Sequence, residues 1–401
     1  MSDASPTGIF DFDLPEELIA QDPPARRGDS RLLLVAPGVG VVAERVFRQL
    51  PEVLRAGDLL VLNESRVLPA RLLTTRPDTG GKVEVLLVRP ASAERTWLAL
   101  ARPGRRLRAG TVLKVEQGAN GPEIQGPRLE VVARLDQGRF LVTGATDPGL
   151  LAQEWGVMPL PPYIKRNPED LVSERGRRDR DRYQTVYAVD DRSGAGSVAA
   201  PTAGLHFSET GLERLSAGGV GIARVSLHVG PGTFREPTAE QVAARRLHRE
   251  YFHLPSETAA RIQETRDCGG RVIAVGTTSL RVLETVARLH LPRGGPDRLE
   301  FPDDGSNEVP EFRGEARRRQ GFWAVSGETR LFLRPPDRVT AVDGLLTNFH
   351  LPGSSLLMLV AALMGENTWP AVYAHAVASR LRFYSYGDCM LIMPGAGENH
   401  V

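Results

Sequence analysis

The sequence predicts an α/β fold in which a layered α/β sandwich carries an inserted all-β barrel. From about residue 205 onward, short apolar runs alternate with helical patterns, an arrangement typical of layered α/β proteins. Between about 73 and 156, short strands follow one another through Gly-rich turns without a helical pattern, which favours a barrel or a sandwich. We therefore expect one discontinuous α/β domain, 1–72 plus 157–401, and a barrel domain, 73–156, inserted into it.

The N-terminal elements are a predicted hairpin and a predicted buried strand. Two apolar runs within 31–46 flank a Pro-Gly-Val-Gly segment, which predicts a β-hairpin. Gly38, Gly40 and Ala43 match the spacing of a dinucleotide-binding fingerprint, but a β-branched run follows instead of the required helix. We therefore interpret that match as turn chemistry. The compact apolar run 58–63 predicts a strand.

Regular patterns define the elements that follow. The predicted barrel strands are 82–88, 96–100, 111–115, 128–133 and 139–143. Beyond the barrel, the predicted helices are 209–218, 256–268, 278–289, 354–365 and 369–382. The predicted strands there are 221–229, 271–276, 331–333, 342–349 and 390–393. The stretch 293–326 is charged and rich in Pro and Gly, so we expect a surface excursion there.

Composition excludes several classes of protein. The formal net charge of the 401 residues is +1, so no overall basic field indicates a nucleic-acid partner. Cys268 and Cys389 are the only cysteines, which fits a reducing compartment and excludes a disulfide framework. The apolar run 356–364 is too short to span a bilayer, and the first residues lack the pattern of a signal peptide. We expect a cytoplasmic protein without membrane contact and without an evident obligate protein partner.

Four short segments rich in Gly, Ser, Thr and His are the strongest functional signal. They are 197–207, 226–235, 275–281 and 342–355. Several of them follow an apolar run and precede a helical pattern, the position at which open α/β sheets bind ligands. Small residues let the backbone approach a ligand, and hydroxyls and imidazoles supply polar contacts. We therefore expect one composite site.

Three histidines in these segments are candidates for proton transfer near neutral pH. His206 and His350 each stand one residue from a Phe, and His228 precedes Val-Gly-Pro-Gly. The alternative for each is a structural histidine whose ring nitrogens are satisfied by hydrogen bonds. His248 and His253 are spaced so that they cannot share a helix face, and no other His or Cys spacing favours a metal site. We expect no metal.

The segment that begins at Gly276 is a predicted anion site. A tight turn joins a strand to a helix here, and the hydroxyl residues Thr277, Thr278 and Ser279 stand at the helix start. Free N–H groups at a helix N-terminus bind carboxylate or phosphate. The alternative is N-capping by Thr277 or Thr278, and both interpretations can hold together.

A basic stretch is the predicted contact with nucleic acid. Lys165 and Arg166 precede the mixed-charge run 175–182. Its last residue, Arg182, is followed by the aromatic residues Tyr183 and Tyr187. Alone, such a run is typical of a solvated loop. Its functional interpretation is contact with a phosphate backbone, because arginine interleaved with aromatics is typical of nucleic-acid surfaces.

Together these residues make the chain resemble the S-adenosylmethionine:tRNA ribosyltransferase-isomerases of queuosine biosynthesis. The matches run nearly end to end and in the family's order. Besides the four polar segments, they are Phe-Asp-Phe-Asp-Leu-Pro at 10–15, Arg-Arg-Gly-Asp-Ser-Arg at 26–31, Gly-Asp-Leu-Leu-Val-Leu-Asn at 57–63, Arg-Val-Leu-Pro-Ala-Arg at 66–71, Gly-Gly-Lys-Val-Glu-Val at 80–85, Met-Pro-Leu-Pro-Pro-Tyr-Ile at 158–164, Arg-Tyr-Gln-Thr-Val-Tyr at 182–187 and Phe-Tyr-Ser-Tyr-Gly-Asp at 383–388.

The resemblance implies an α/β sandwich with an inserted β-barrel and an unusual use of S-adenosylmethionine as co-substrate. The ribosyl part, and not the methyl group, is transferred to the aminomethyl-7-deazaguanine at the wobble position of a tRNA with a GUN anticodon. The ribose rearranges to an epoxy-cyclopentanediol, which gives epoxyqueuosine-tRNA, while adenine and methionine leave.

The implied chemistry assigns roles to the candidate residues. A base must remove a proton beside the sulfonium, and an acid must protonate the departing adenine. The titratable candidates are His206, His228, His350 and Asp388, and the sequence leaves open which is acid and which is base.

Binding roles follow from the same resemblance. The methionine carboxylate suits the helix start at 276–279 together with Arg281, whereas Asp343 or Asn348 would bind ribose hydroxyls or adenine. Lys165, Arg166 and Arg182 would contact the tRNA.

Two positions depart from the family pattern, and two alternative functions stay open. Arg245 stands where the family often has the first histidine of a His-x-x-His pair, and Asp337 ends a Pro-Pro-Asp where Pro-Gly-Tyr is usual. One alternative function is a non-catalytic tRNA-binding module, which would ignore S-adenosylmethionine. An ordinary methyltransferase is disfavoured because no strand–GxGxxG–helix unit occurs.

Overall fold

The computed structural model describes residues 8–116, 126–189, 196–234, 236–292, 294–302, 309 and 311–395. Within them the strands are β1 (Arg31–Ala36), β2 (Gly40–Val46), β3 (Leu59–Asn63), β4 (Arg71–Thr75), β5 (Lys82–Pro90), β6 (Thr96–Arg102), β7 (Val112–Val115), β8 (Arg128–Arg134), β9 (Arg139–Gly144), β10 (Gly221–Leu227), β11 (Arg246–Leu254), β12 (Val272–Val275), β13 (Arg298–Phe301), β14 (Phe312–Arg319), β15 (Phe322–Leu331), β16 (Gly344–Asn348) and β17 (Cys389–Ile392). The α-helices are α1 (Leu50–Val53), α2 (Pro148–Trp155), α3 (Pro168–Val172), α4 (Glu174–Arg182), α5 (Glu209–Ala217), α6 (Ala239–Ala244), α7 (Ser256–Asp267), α8 (Gly276–Arg288), α9 (Ser355–Met364) and α10 (Trp369–Ala378).

The described chain forms two compact units. The first draws on Met1–Glu64, Pro201–Leu227 and Arg235–Val401, and the second on Ser65–Ala200 and His228–Phe234. The second unit contains all the barrel strands but is wider than the expected 73–156. The exact domain boundaries stay a prediction.

The first unit is built on a mixed eleven-stranded sheet with the order β13-β14-β15-β11-β10-β3-β12-β16-β17-β1-β2. Its centre, β10, β3, β12 and β16, is parallel. Every residue of β3, β12 and β16 is buried, as expected for parallel strands covered on both faces. Helices α7 and α8 both pack on β3 and β12. The expected α/β layers are therefore confirmed.

The register places several polar segments at one edge of this sheet, which we call the carboxyl edge because β12 and β16 end there. Val275 pairs with Leu346 in the parallel ladder, so the turns after β12 and β16 lie side by side. The antiparallel pair of Asn348 with Cys389 brings the start of β17 to the same edge. Cys389 also pairs with Leu32 of β1. The residues just before β1 and β17 therefore lie at the carboxyl edge too.

The second unit contains a closed antiparallel barrel with the order β4-β5-β6-β9-β8-β7, in which β4 pairs with β7. Along β5, buried residues alternate with more exposed ones, as expected for a strand that points every second side chain into a barrel. Val85, Leu87, Trp97 and Phe140 are among the buried residues of its core. The predicted inserted all-β barrel is confirmed.

The stretch 293–326 is more regular than the sequence analysis expected. Its described part forms β13, β14 and the first half of β15, which extend the large sheet as an antiparallel meander beside β11. Phe312, Ala316, Trp323 and Val325 are buried, but arginines between them hide the alternation. Residues 293, 303–308 and 310 lie outside the described residues. The strand expected at 331–333 is wrong, because β15 ends at Leu331.

The mixed-charge run 175–182 is helical rather than a loop. Ser173 caps α4, since its Oγ accepts the N–H of Arg175 at 3.1 Å. Asp179 of this helix is buried against Arg166, with N–O distances of 2.7 and 3.0 Å. This ion pair stabilises α4. The charged residues of the segment leave no apolar pattern from which a helix could be predicted.

None of the described helices has the length and apolar character needed to cross a membrane.

Candidate functional site

The carboxyl edge of the first unit brings together most of the predicted site residues. Asn348 ends β16, His350 follows it, and Asp388 directly precedes β17. Gly276 opens α8 with a φ of +84°, a conformation that favours glycine, and a Cβ built on it would lie 3.6 Å from Cβ of Ala203. The turn that carries His206 therefore packs directly against the start of α8.

His206 is held from both sides of its ring. Its Nδ1 lies 3.0 Å from Ser30 Oγ, and its Nε2 lies 3.1 Å from Asn348 Nδ2. The same amide nitrogen donates to the carbonyl of Tyr384 at 2.9 Å, which fixes the orientation of the Asn348 amide. His206 Nε2 is then the acceptor, and Nδ1 carries the proton and donates to Ser30. The ring also stacks on Phe47, with 5.2 Å between the centroids.

The environment keeps His206 neutral. Burial, followed by the positive charges of Arg382 and Arg27, lowers the pKa of His206 from 6.5 to about 3. With both nitrogens engaged, this imidazole is suited to positioning Asn348 more than to moving a proton.

His350 has one nitrogen in a different situation. Its Nε2 lies 2.9 Å from Thr347 Oγ1, and its backbone N–H donates to the hydroxyl of Tyr373 at 3.2 Å. Nδ1 forms no hydrogen bond with any described residue, and 8% of the residue surface remains exposed. Burial lowers the pKa of His350 to about 3. His350 is thus a neutral imidazole with an uncommitted nitrogen.

Asp388 lies at the same edge, but its carboxylate is occupied. One oxygen accepts the N–H of Arg31 and the other the N–H of Arg382, both at 2.8 Å. The side chain is almost fully buried. These bonds tie the start of β17 to the start of β1, so the geometry favours a structural role for Asp388 over proton transfer.

The start of α8 carries buried hydroxyls without partners. No side chain caps this helix, so the predicted capping by Thr277 or Thr278 is not observed. Thr278 Oγ1 and Ser279 Oγ are buried and form no hydrogen bond within the described residues, and Ser279 has no exposed surface. Such groups are costly unless a ligand satisfies them.

Arg281 extends this unsatisfied set one turn further. Its Nη1 donates to Glu250, whose other oxygen lies 3.2 Å from His248 Nε2. Arg281 Nε and Nη2 have no partner among the described residues, although the side chain is only 5% exposed. Glu250 therefore balances the guanidinium charge and leaves part of its hydrogen-bonding capacity unused.

Two predicted site residues do not lie with the others. Asp343 immediately precedes β16, where its carboxylate accepts the N–H of Val272 at 2.8 Å. Asp343 and Asn348 stand at opposite ends of one strand, roughly 16 Å apart, so they cannot bind the same ribose or adenine. The prediction for Asp343 fails because the segment 342–355 spans the whole strand. His228 belongs to the second unit, where its Nδ1 lies 3.1 Å from the carbonyl of Gly196.

The predicted tRNA-binding residues all belong to the second unit, but they differ in exposure. Lys165 is exposed, and Arg182 is half-buried at the end of α4. The Arg166 side chain is only 1% exposed because it pairs with Asp179. Arg166 is therefore a structural partner of α4 and not an exposed phosphate ligand. Arg177, on the exposed face of the same helix, is better placed.

Some contacts of the site were not predicted. Ser30 lies in the matched segment 26–31, yet nothing in the sequence pairs it with His206. Glu250 could not be recognised from the sequence as part of the site, because its partner Arg281 lies in a different segment. The two departures from the family pattern contact each other, since Arg245 forms an ion pair with Asp337.

Metal-holding clusters of three or more His, Cys, Asp or Glu side chains do not occur in the described part of the chain. Metal independence stays a prediction.

The two buried histidines predict a specific loss of stability in acid. The folded pKa of His206 and of His350 is about 3, against 6.5 in the unfolded chain, so the unfolded state binds more protons between these values. Their contribution is complete above pH 6.5 and falls as pH drops, by up to about 1.4 kcal/mol per pH unit for each histidine. Urea unfolding between pH 7 and 5 measures the slope. His350→Gln should make it shallower, and an unchanged slope would contradict the assignment.

Comparison with known proteins identifies the family. Residues 7–392 match the model of a family described as queuosine biosynthesis protein. Two relatives named S-adenosylmethionine:tRNA ribosyltransferase-isomerase are each 44% identical: one from Symbiobacterium thermophilum, covering 96% of this chain and 98% of the relative, and one from a Methylobacterium species, covering 97% and 99%. A crystal structure of S-adenosylmethionine tRNA ribosyltransferase from Thermotoga maritima is 32% identical, covers 96% of this chain and 100% of that chain, and has a TM-score of 0.49. With a family match over nearly its whole length, the chain belongs to the queuosine biosynthesis protein family.

Proposed function

We propose that this protein is an S-adenosylmethionine-dependent tRNA ribosyltransferase-isomerase. It transfers and isomerises the ribosyl moiety of S-adenosylmethionine onto the aminomethyl-7-deazaguanine of a tRNA with a GUN anticodon. The products are epoxyqueuosine-tRNA, adenine and methionine. The observation that carries the proposal is the set of buried, unpartnered polar atoms at the carboxyl edge: Thr278 Oγ1, Ser279 Oγ, Arg281 Nη2 and Asn348 Oδ1. Names of relatives support the same activity.

The start of α8 suits the methionine carboxylate of the co-substrate. The first N–H groups of a helix bind anions, and a guanidinium strengthens such a site. Thr278 Oγ1 and Ser279 Oγ can donate to the carboxylate, and Arg281 Nη2 adds a charge-assisted bond. Because Val275 and Leu346 pair, Asn348 lies on the neighbouring strand end. Its unpartnered Oδ1 can accept a hydrogen bond from a ribose hydroxyl or from the adenine amino group.

The proton chemistry belongs most naturally to His350. A neutral imidazole with a free Nδ1 can accept the proton from the carbon beside the sulfonium. His206, with both nitrogens bonded, holds the Asn348 amide in the orientation that leaves Oδ1 available. His350, once it has taken up this proton, can return it to the departing adenine.

The tRNA surface is proposed to include Lys165 and Arg182. Replacing both with glutamine should weaken tRNA binding and reduce the salt slope of the affinity by about 0.7–0.9 for each phosphate that the variant no longer neutralises. Arg106→Gln, an exposed arginine of the same unit, is the matched control. Fluorescence anisotropy at several salt concentrations gives the slopes. An equal slope in the double variant and the control would show that tRNA binds to a different surface.

One assay tests the function itself. The protein is incubated with S-adenosylmethionine and a tRNA that carries aminomethyl-7-deazaguanine, and free adenine and the modified nucleoside are measured. We expect both products, in the presence or absence of a chelator once tRNA folding is controlled. Binding of tRNA without adenine release would instead indicate a non-catalytic RNA-binding module. Formation of S-adenosylhomocysteine would indicate methyl transfer.

A further inference from the structure

A cavity of about 470 Å³ opens in the first unit beside His206. We call it the arginine cavity, because Arg26, Arg27, Arg48 and Arg214 line it together with one carboxylate, Asp29. Apolar side chains complete the wall: Phe47, Leu50, Pro51, Phe207 and Leu215. A cavity that is basic at its polar positions and apolar elsewhere is suited to an anion attached to a larger, partly apolar molecule.

The charges of the arginine cavity are only partly balanced. Asp29 pairs with Arg48 at 2.7 Å, which neutralises one guanidinium. Arg27 donates through Nη1 to the carbonyl of Leu205 at 2.9 Å. Arg26 and Arg214 are exposed, and neither forms an ion pair with a carboxylate of the described residues. A concave surface of one sign concentrates the field and attracts anions.

The backbone adds to the same field. Helix α5 begins at this cavity, and Ser208, Thr210 and Gly211 of its first turn are part of the lining. Ser208 Oγ accepts the N–H of Gly211 at 3.0 Å, whereas the N–H groups before it have no partner within the helix. The positive end of the helix therefore faces the cavity. Guanidinium groups and helix N–H groups together form the arrangement that binds phosphate.

We propose that the arginine cavity binds a phosphodiester of the RNA strand that carries the reacting nucleotide. His206 forms part of the cavity wall and also bonds to Asn348, so a phosphate held here lies one side chain away from the proposed co-substrate site. A diester fits because the two unbalanced guanidiniums come from different chain segments, one before β1 and one on α5, and can hold a phosphate while the strand continues past them. The apolar part of the lining, of which Phe47 and the partly exposed Pro51 are members, would lie against the adjoining ribose or base. This assignment rests on the proposed function only in that RNA is a substrate.

The test is the salt dependence of RNA binding, measured without S-adenosylmethionine. Arg26→Gln with Arg214→Gln should lower the affinity for tRNA and reduce the salt slope by about 0.7–0.9 for each phosphate no longer neutralised. Arg338→Gln is the matched control, because Arg338 is exposed in the same unit and lies outside the cavity lining. The charge-preserving pair Arg26→Lys with Arg214→Lys should retain most of the slope. An unchanged slope in the double glutamine variant would overturn the proposal.

Two further measurements separate the possible anions. Inorganic phosphate, titrated by ³¹P NMR, shows whether the cavity takes free phosphate. Loss of phosphate binding without a change in the RNA slope would assign the cavity to a small anion and refute the diester. Weakened binding of S-adenosylmethionine in the double glutamine variant, with RNA binding intact, would assign it to the co-substrate and refute it equally.

Failure of the proposed function is distinguishable from failure of this inference. Arginine-dependent RNA binding without adenine release would support the cavity and contradict the ribosyl transfer. Adenine release with an unchanged salt slope of RNA binding would support the ribosyl transfer and contradict the assignment of the cavity.

Discussion

Replacing His350 with alanine is expected to lower the turnover by about 10²–10⁴-fold, which corresponds to about 3–5 kcal/mol of transition-state stabilisation. The reason is that His350 is the imidazole at the carboxyl edge whose Nδ1 is not committed to a described residue. Burial lowers the pKa of His350 to about 3, so its ring is neutral at physiological pH. Single-turnover release of adenine measures the effect on chemistry apart from product release.

The matched comparison is His206. His206→Gln removes the ring but keeps polar groups near Ser30 and Asn348, so it should raise the KM for S-adenosylmethionine more than it lowers kcat. Circular dichroism and the unfolding midpoint establish that both variants are folded. Near-normal adenine release from the His350 variant would contradict its role in proton transfer.

Removing the Glu250 carboxylate is expected to destabilise the first unit by about 3–5 kcal/mol. Glu250 and Arg281 are both nearly fully buried, and Glu250→Ala would leave a buried guanidinium without its counter-charge. Denaturant unfolding measures the loss. Glu328→Ala is the control, because its pair with Arg313 is largely solvated, with side chains 26% and 43% exposed, and should cost at most about 1 kcal/mol.

A double variant separates charge from packing. Arg281→Met in the Glu250→Ala background removes the unpaired buried charge and should recover part of the stability. It should weaken the binding of S-adenosylmethionine, because the proposed anion site then lacks its guanidinium. Equal stability of the single and double variants would contradict the ion-pair argument. Normal binding of S-adenosylmethionine by the double variant would show that Arg281 does not bind the co-substrate.

The sequence predicted which segments meet at the carboxyl edge better than it predicted the contacts of each residue. Apolar strands followed by polar turns placed Gly276, Asn348 and His350 at one sheet edge, because parallel strands share the direction in which they end. The same reasoning failed for Asp343, since a single segment covered both ends of β16. Sequence periodicity reports burial of elements, and it does not report which side chains are already paired. His206, Arg166 and Asp388 are already hydrogen-bonded to residues of other segments, and a local sequence pattern does not show such contacts.

Secondary structure was missed where charge obscured periodicity. The only buried residue of α4 is the charged Asp179, and β14 buries only Phe312 and Ala316 among its arginines, so the apolar pattern on which prediction depends is sparse. Both elements depend on partners outside their own segments: β14 pairs with its sequence neighbours β13 and β15, and α4 is held by the pair between Asp179 and Arg166.

The place of β17 in the large sheet has a consequence for synthesis. The N-terminal hairpin, β1 with β2, joins the sheet only through β17, which comes from the C-terminal end of the described chain. During translation, the hairpin therefore cannot join the sheet until β17 has left the ribosome. Its attachment closes a loop of more than 350 residues, between Arg31 and Asp388, so it carries a large entropic cost and is expected late in folding. Until that step, His206 lacks its partner Ser30, and the carboxyl edge of the sheet in the nascent protein is still incomplete.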